Sequence, residues 1–178
     1  MEYTEVPYTR YLLETLSLLE DPGLFLVTQG QDGRPNAMTI GWGTVGFIWG
    51  RPIFSVLVRP SRYSYRLLEE SQAFTVCVPS EAQYDAVDFC GTRSGRECDK
   101  FRECNLEALP SLRVEVPGIA GCPVIYECQV VHRSDVVPEH LIPEVCTSAY
   151  PKGDFHRVYF GEILVVRALP RAKDLLRP

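Results

Sequence analysis

Residues 23–42 read Gly23-Leu24-Phe25-Leu26-Val27-Thr28-Gln29-Gly30-Gln31-Asp32-Gly33-Arg34-Pro35-Asn36-Ala37-Met38-Thr39-Ile40-Gly41-Trp42. Two runs, Gly23 to Thr28 and Pro35 to Trp42, flank the turn sequence Gln31-Asp32-Gly33-Arg34. Asp-Gly suits the backbone of a tight hairpin, so the stretch predicts two strands paired as antiparallel neighbours. In the second strand Met38, Ile40 and Trp42 share one face, while Ala37, Thr39 and Gly41 share the other. One of these faces is expected to be core.

On the N-terminal side, Thr9 is placed to N-cap a helix carrying Leu12, Leu13, Leu16 and Leu19 and ending before Pro22-Gly23. On the C-terminal side, Pro52 to Val58 reads as a third strand. Arg59-Pro60-Ser61 then turns the chain into a short helix from about Arg62 to Ser71, and Ala73 to Val78 reads as a fourth strand. Helical pieces follow over Glu81 to Arg102, broken at Gly91-Thr92-Arg93-Ser94-Gly95, before β-type runs at Val124 to His132 and Val158 to Arg167. Arg133 to Arg157, with Pro138, Pro143 and Pro151, is long for a connection and is expected to be a lid or a dimer arm. Strands with covering helices, rather than regular β-α alternation, predict a mainly β, antiparallel small barrel, and no G-x-G-x-x-G argues for a dinucleotide fold.

The chain has 178 residues, near the size of one domain, and without repeat or linker it is expected to fold as a single domain over residues 1–178. A formal charge of −5 gives no general attraction to nucleic acid or anionic lipid, so an anionic ligand must be bound locally. The sequence offers neither a basic-then-apolar leader nor about 18 uninterrupted apolar residues, which predicts a cytoplasmic protein that does not enter the membrane. Its 7 cysteines form an odd set with no C-x-x-C, so neither a disulfide framework nor a metal site is expected. Cys98 and Cys104, like Cys122 and Cys128, stand six apart and read as reduced packing residues, with a redox-active pair as the alternative.

Three segments stand out: Asn36-Ala37-Met38-Thr39-Ile40-Gly41-Trp42, Arg59-Pro60-Ser61-Arg62-Tyr63-Ser64 and Ser94-Gly95-Arg96-Glu97-Cys98-Asp99-Lys100-Phe101. Together, over about Pro22 to Val166, the sequence resembles the flavin reductase-like FMN-binding proteins, including the flavoredoxins. The resemblance implies a split β-barrel with Greek-key strand order, FMN as cofactor, and a homodimer with the flavin near the subunit interface. It also implies two-electron reduction of flavin by NAD(P)H or a protein donor, followed by transfer to free flavin, ferric iron or a protein acceptor. A carrier without its own nicotinamide site, or a flavin- or haem-binding module without turnover, are the alternatives.

FMN needs a cradle for its phosphate, polar partners for its pyrimidine edge and a flat slot for its rings. Ser61, Arg62 and Ser64 fall where a turn enters a helix, which suits a phosphate. The competing reading makes Ser61 a simple cap and Arg62 a solvated charge. Asn36, Ala37, Met38, Thr39, Gly41 and Trp42 would meet the flavin, although Met38 and Trp42 also suit ordinary packing. Ser94, Gly95 and Lys100 match the family's S-G-x-x-x-D-K-F pattern, implying that the ammonium contacts the cofactor; a surface pair with Glu97 or Glu103 is the rival. His132 closes a strand and is included among the cofactor-contacting residues. His156 lies in Gly153-Asp154-Phe155-His156, where the family carries G-D-H, and the inserted Phe155 leaves both a redox-site role and a surface or dimer contact open.

Overall fold

The computed structural model describes residues 2–176. Strand β1 (Thr4–Val6) and helix α1 (Leu12–Glu20) precede the expected hairpin, which forms as β2 (Leu24–Gln29) and β3 (Pro35–Ile40). Phe25 pairs with Thr39 and Val27 with Ala37, and Gly33 supplies a left-handed φ of 74° in the turn. β4 (Gly43–Ile48), β5 (Arg51–Val58), α2 (Tyr63–Ser71) and β6 (Ala73–Val78) follow. Next come α3 (Tyr84–Thr92), α4 (Lys100–Glu103) and the two-residue strands β7 (Ala108–Leu109) and β8 (Gly118–Ile119). The chain ends with β9 (Val124–Asp135), α5 (Pro143–Ala149), β10 (Arg157–Ala168) and α6 (Ala172–Leu175).

The main sheet is antiparallel in the order β3-β2-β6-β9-β10-β5-β4, with β1 beside the end of β10. The β9–β10 hairpin sits between β6 and β5, so the latter two are joined through α2 rather than by a direct turn. Leu24, Leu26, Phe54, Val56, Phe74, Val76, Tyr126 and Tyr159 come from five of these strands into one cluster, which is the interior of the curled sheet. A second cluster lies outside it, where Phe25, Val27, Ala37, Cys77 and Ile125 are covered by Val87 and Cys90 of α3 and by Val116 and Ile119. β2 and β6 are therefore buried on both faces, which explains their nearly unbroken apolar sequences. β3 is likewise packed on two sides rather than one, with Ile40 in the barrel and Ala37 beneath α3.

Two local expectations are corrected. α1 starts from Tyr11 with no side-chain cap, and its inward face is Tyr11, Thr15, Leu18 and Leu19; Leu13 is 80% exposed. Thr15 belongs to that face because its hydroxyl meets the Tyr126 hydroxyl at 3.0 Å inside the protein. β4 was not expected, although it pairs with β5 from Gly43–Val56 to Ile48–Arg51. Its hairpin turns on Trp49-Gly50, both at positive φ, and tryptophan is not a residue that announces such a turn.

Candidate functional site

β3, the β5–α2 turn, the end of α3, the start of α4 and the residue before β10 surround a cleft of about 330 Å³. From β3 it receives Asn36, Met38 and Thr39, and just beyond the strand Gly41 and Trp42. Asn36 is buried and donates through Nδ2 to Ser64 Oγ at 2.9 Å, joining the strand to the first turn of α2. Thr39 donates to the carbonyl of Val87 and so fixes the strand to α3. Gly95 runs directly over this junction: a Cβ there would lie 2.1 Å from Asn36 Oδ1 and 2.7 Å from Tyr63 Cδ1, so only glycine fits.

Ser61, Arg62, Ser64, Ser94, Gly95, Lys100 and His156 also line the cleft, so the three motif segments converge there. Lys100 is 3% exposed and donates from Nζ to the Cys90 carbonyl at 2.7 Å. Burial, opposed in part by nearby thiols, lowers its pKa from the usual lysine value. Burial rather than a surface carboxylate thus defines its surroundings.

His156 is buried, with Nδ1 2.9 Å from the Tyr150 hydroxyl and its ring 5.0 Å from that of Trp42. Burial, reinforced by Arg59, depresses its pKa to about 4, so the imidazole is neutral at pH 7. The inserted Phe155 does not displace it. Phe155 stacks on Tyr150 at 4.6 Å, and the extra residue is accommodated by left-handed backbone at Gly153 and Asp154.

Ala37 and His132 are not brought to this cleft. Ala37 is fully buried in the outer core, where Val87 and Cys90 of α3 lie in the same cluster. His132 lies within β9, which continues to Asp135, and packs against Trp49 at 5.5 Å and Phe160 at 5.4 Å. Conversely, Arg59 and Arg93 line the cleft without having been singled out in the sequence. Arg59 donates to the carbonyls of Ala149 and Asp154 at 3.0 and 2.9 Å and lies 5.0 Å from the Tyr150 ring, clamping the segment before β10. Asp154 of that segment accepts from the Ser61 backbone N–H at 3.3 Å and from its hydroxyl. The Ser61 donors expected to face a phosphate are thus engaged by an internal carboxylate.

The family model for the flavin reductase like domain matches residues 21–175, and the chain belongs to that family. An uncharacterized protein of Archaeoglobus fulgidus is 30% identical over 150 residues, covering 84% of this chain and 74% of its own. Among solved structures, flavoredoxin of Desulfovibrio vulgaris (Miyazaki F) has a TM-score of 0.68 at 26% identity, covering 84% of this chain and 70% of that one. The FMN-binding domain of a flavin reductases-like enzyme from Shewanella baltica has a TM-score of 0.66 at 18% identity, covering 96% and 81%; that likeness is one of fold. The mainly β split barrel expected from the sequence is the fold present.

The donor set fits an anionic, planar cofactor. Arg59, Arg62, Arg93 and Lys100 bring positive charge to one cleft, together with three serines and the 45% exposed Trp42. Such a combination suits a phosphate at one end and a polar-edged aromatic ring at the other.

Proposed function

We propose that this cleft binds FMN and that the protein is a cytoplasmic, single-domain oxidoreductase working as a homodimer. It takes two electrons from NAD(P)H or a protein donor and passes them to free flavin, ferric iron or a protein acceptor. The reading is carried by the positive cleft itself: four cationic side chains converge beside Trp42, and Lys100 is buried without a carboxylate partner among the described residues. FMN supplies the two-electron redox chemistry when bound. Arg62, Arg93 and Ser64 hold its phosphate, with Ser61 joining them when Asp154 moves aside. Trp42 and Met38 flank the rings, Asn36 and Lys100 meet their polar edge, and neutral His156 offers a hydrogen bond beside Trp42. The exposed Phe47, near the end of β4, and Trp49, in the β4–β5 turn, support pairing with a second copy.

The 26% identity to flavoredoxin favours a second reading, an electron carrier without its own nicotinamide site. Anaerobic addition of NADH and NADPH to FMN-loaded protein tests for a nicotinamide site, since bleaching by either overturns the carrier reading. The cofactor itself is tested by titrating FMN and riboflavin into wild type and Arg62→Ala. Loss of a charge-assisted phosphate contact should weaken FMN about ten- to a hundredfold and leave riboflavin nearly unchanged. Equal weakening of the two ligands would remove Arg62 from the phosphate site, and failure of wild type to bind either would end the flavin reading.

A further inference from the structure

Tyr150 stands behind His156, and its hydroxyl lies 2.9 Å from His156 Nδ1 with no other hydrogen-bond partner among the described residues. Tyr150 is buried and does not line the cleft, so cleft water does not take that partner's place. A phenol with a single partner satisfies its hydrogen only by donating, so Nδ1 accepts and the ring's own proton sits on Nε2. The converse, an Nδ1–H donating to the phenol oxygen, would leave a buried hydroxyl hydrogen without an acceptor. His156 Nε2 has no partner among the described residues, and the only sealed side-chain atoms without one belong to Arg167, so Nε2 opens onto the cleft that His156 lines.

The surroundings hold this pair in place. The Tyr150 N–H donates to the Cys146 carbonyl at 3.1 Å, and the Tyr150 carbonyl accepts from the Gly153 N–H at 3.0 Å. The inserted Phe155 stacks on the phenol ring at 4.6 Å, and the Arg59 guanidinium lies 5.0 Å from the same ring. A cation against a phenol stabilises negative charge on its oxygen and makes the hydroxyl a stronger donor. His156 is tied down by its own carbonyl, which accepts from the Val136 N–H at 2.9 Å just beyond β9.

We propose that Tyr150 is a positioning residue that holds His156 as its Nε2–H tautomer, so that the cleft presents a fixed, uncharged hydrogen-bond donor to a carbonyl oxygen. The tautomer stands on the geometry alone; the carbonyl rests on the flavin reading above and belongs either to the flavin or to a planar redox partner laid beside Trp42, whose ring is 5.0 Å from that of His156. A neutral N–H suits a neutral oxygen acceptor, whereas a carboxylate or phosphate is better matched by the arginines of the same cleft.

Long-range proton–nitrogen NMR of the full chain with ¹⁵N-labelled histidine, at pH 7 and without flavin, reads the tautomer directly, the His156 signals being those lost in His156→Gln. Wild type should show a protonated Nε2 and an unprotonated Nδ1 that carries the shift of an accepted hydrogen bond. Tyr150→Phe keeps the ring that stacks on Phe155 and removes the donor, so the preference for Nε2–H should fall by about tenfold, the worth of one hydrogen bond. A protonated Nδ1 in wild type, or the same tautomer ratio and Nδ1 shift in both proteins, overturns the positioning role; the wild-type spectrum alone decides the first of these if the variant does not fold. FMN is then added, followed by acetophenone as a neutral carbonyl probe. Movement of the Nε2 proton with FMN assigns the donor to a flavin carbonyl, movement only with acetophenone assigns it to the redox partner, and movement with neither overturns the carbonyl assignment. Failure of wild type to bind FMN overturns the flavin reading alone, because the tautomer is measured on the chain without it.

Discussion

Lys100 and Arg167 are both buried cations, 3% and 6% exposed, yet they sit in opposite electrostatic settings. Arg167 of β10 has its Nε 2.9 Å from Oε1 of the fully buried Glu127 on β9. The approach is a charge contact rather than an aligned hydrogen bond, since neither Nε nor Nη2 of Arg167 has a hydrogen-bond partner among the described residues. The Tyr3 ring, 5.7 Å away, covers the guanidinium. Glu127 also accepts from the backbone N–H groups of Leu112 and Arg113, at 2.9 and 2.8 Å to Oε2, so the pair fastens the loop before β8 to the sheet. Among the described residues Lys100 has no such carboxylate, and its ammonium donates to the Cys90 carbonyl on the wall of a cleft. A buried charge matched from within serves the fold; one left for a ligand to match serves the site.

That contrast breaks first at Glu127. Glu127→Gln leaves Arg167 buried without its counter-charge and weakens the anchor for residues 112 and 113, so unfolding stability should fall by about 3–5 kcal/mol. Urea denaturation of the two proteins measures it. A loss below about 1 kcal/mol would mean that water reaches Arg167 and that its burial is not the basis of the difference.

Lys100 should respond in another currency of measurement, the flavin potential rather than the fold. Lys100→Met retains most of the stem and removes the charge, so stability should change by no more than about 1 kcal/mol, the worth of one hydrogen bond. If the ammonium lies beside the ring's polar edge, the reduced anion loses on the order of 1 to 3 kcal/mol. For a two-electron couple the midpoint then falls by on the order of 20 to 65 mV. Redox titration of FMN-loaded variant and wild type reads the shift, and an unchanged midpoint with stoichiometric FMN would place Lys100 away from the reacting end.

The motif residues were legible because each announces a backbone need as well as a chemistry. Asp32-Gly33 marks the hairpin, Gly95 permits the close crossing over Asn36, and Arg62-Tyr63-Ser64 begins a helix, so the segments carrying Asn36, Ser64 and Lys100 could be found in the sequence. Ala37 was misplaced although it shares a strand face with Thr39 and Gly41, which line the cleft, because it lies in the outer core with Val87 and Cys90 of α3, a covering that the strand's own pattern does not show. His132 was misplaced by ending β9 too early; three more residues of pairing with β10 hold it among Trp49 and Phe160 instead. Arg59 and Asp154 could not be read at all. Their roles arise when a proline-rich connection folds back on the β5–α2 turn, a contact between residues some 95 positions apart.

The smallest expected effect concerns His156, which shares Lys100's cleft and provides a check on whether that cleft excludes water. The groups facing it are the Tyr150 hydroxyl, the Arg59 and Arg62 guanidiniums, which oppose protonation, and Asp154, which favours it. Its folded pKa of about 4 lies below the ordinary histidine value of 6.5, chiefly because burial disfavours the imidazolium. Between these values the unfolded chain binds a proton that the folded one does not. Stability from this group is therefore complete above about pH 6.5, falls as the pH drops toward 4, and levels off below it. With allowance for partial solvent screening, the loss is on the order of 1 kcal/mol. His156→Gln keeps a hydrogen-bonding side chain for Tyr150 and removes the titration, so its urea midpoint should fall less than that of wild type between pH 7 and pH 4.5, measured in the same buffers. Parallel curves for the two proteins would show that His156 titrates as a solvated group, and that the cleft around Lys100 is wetter than the buried positions of both side chains imply.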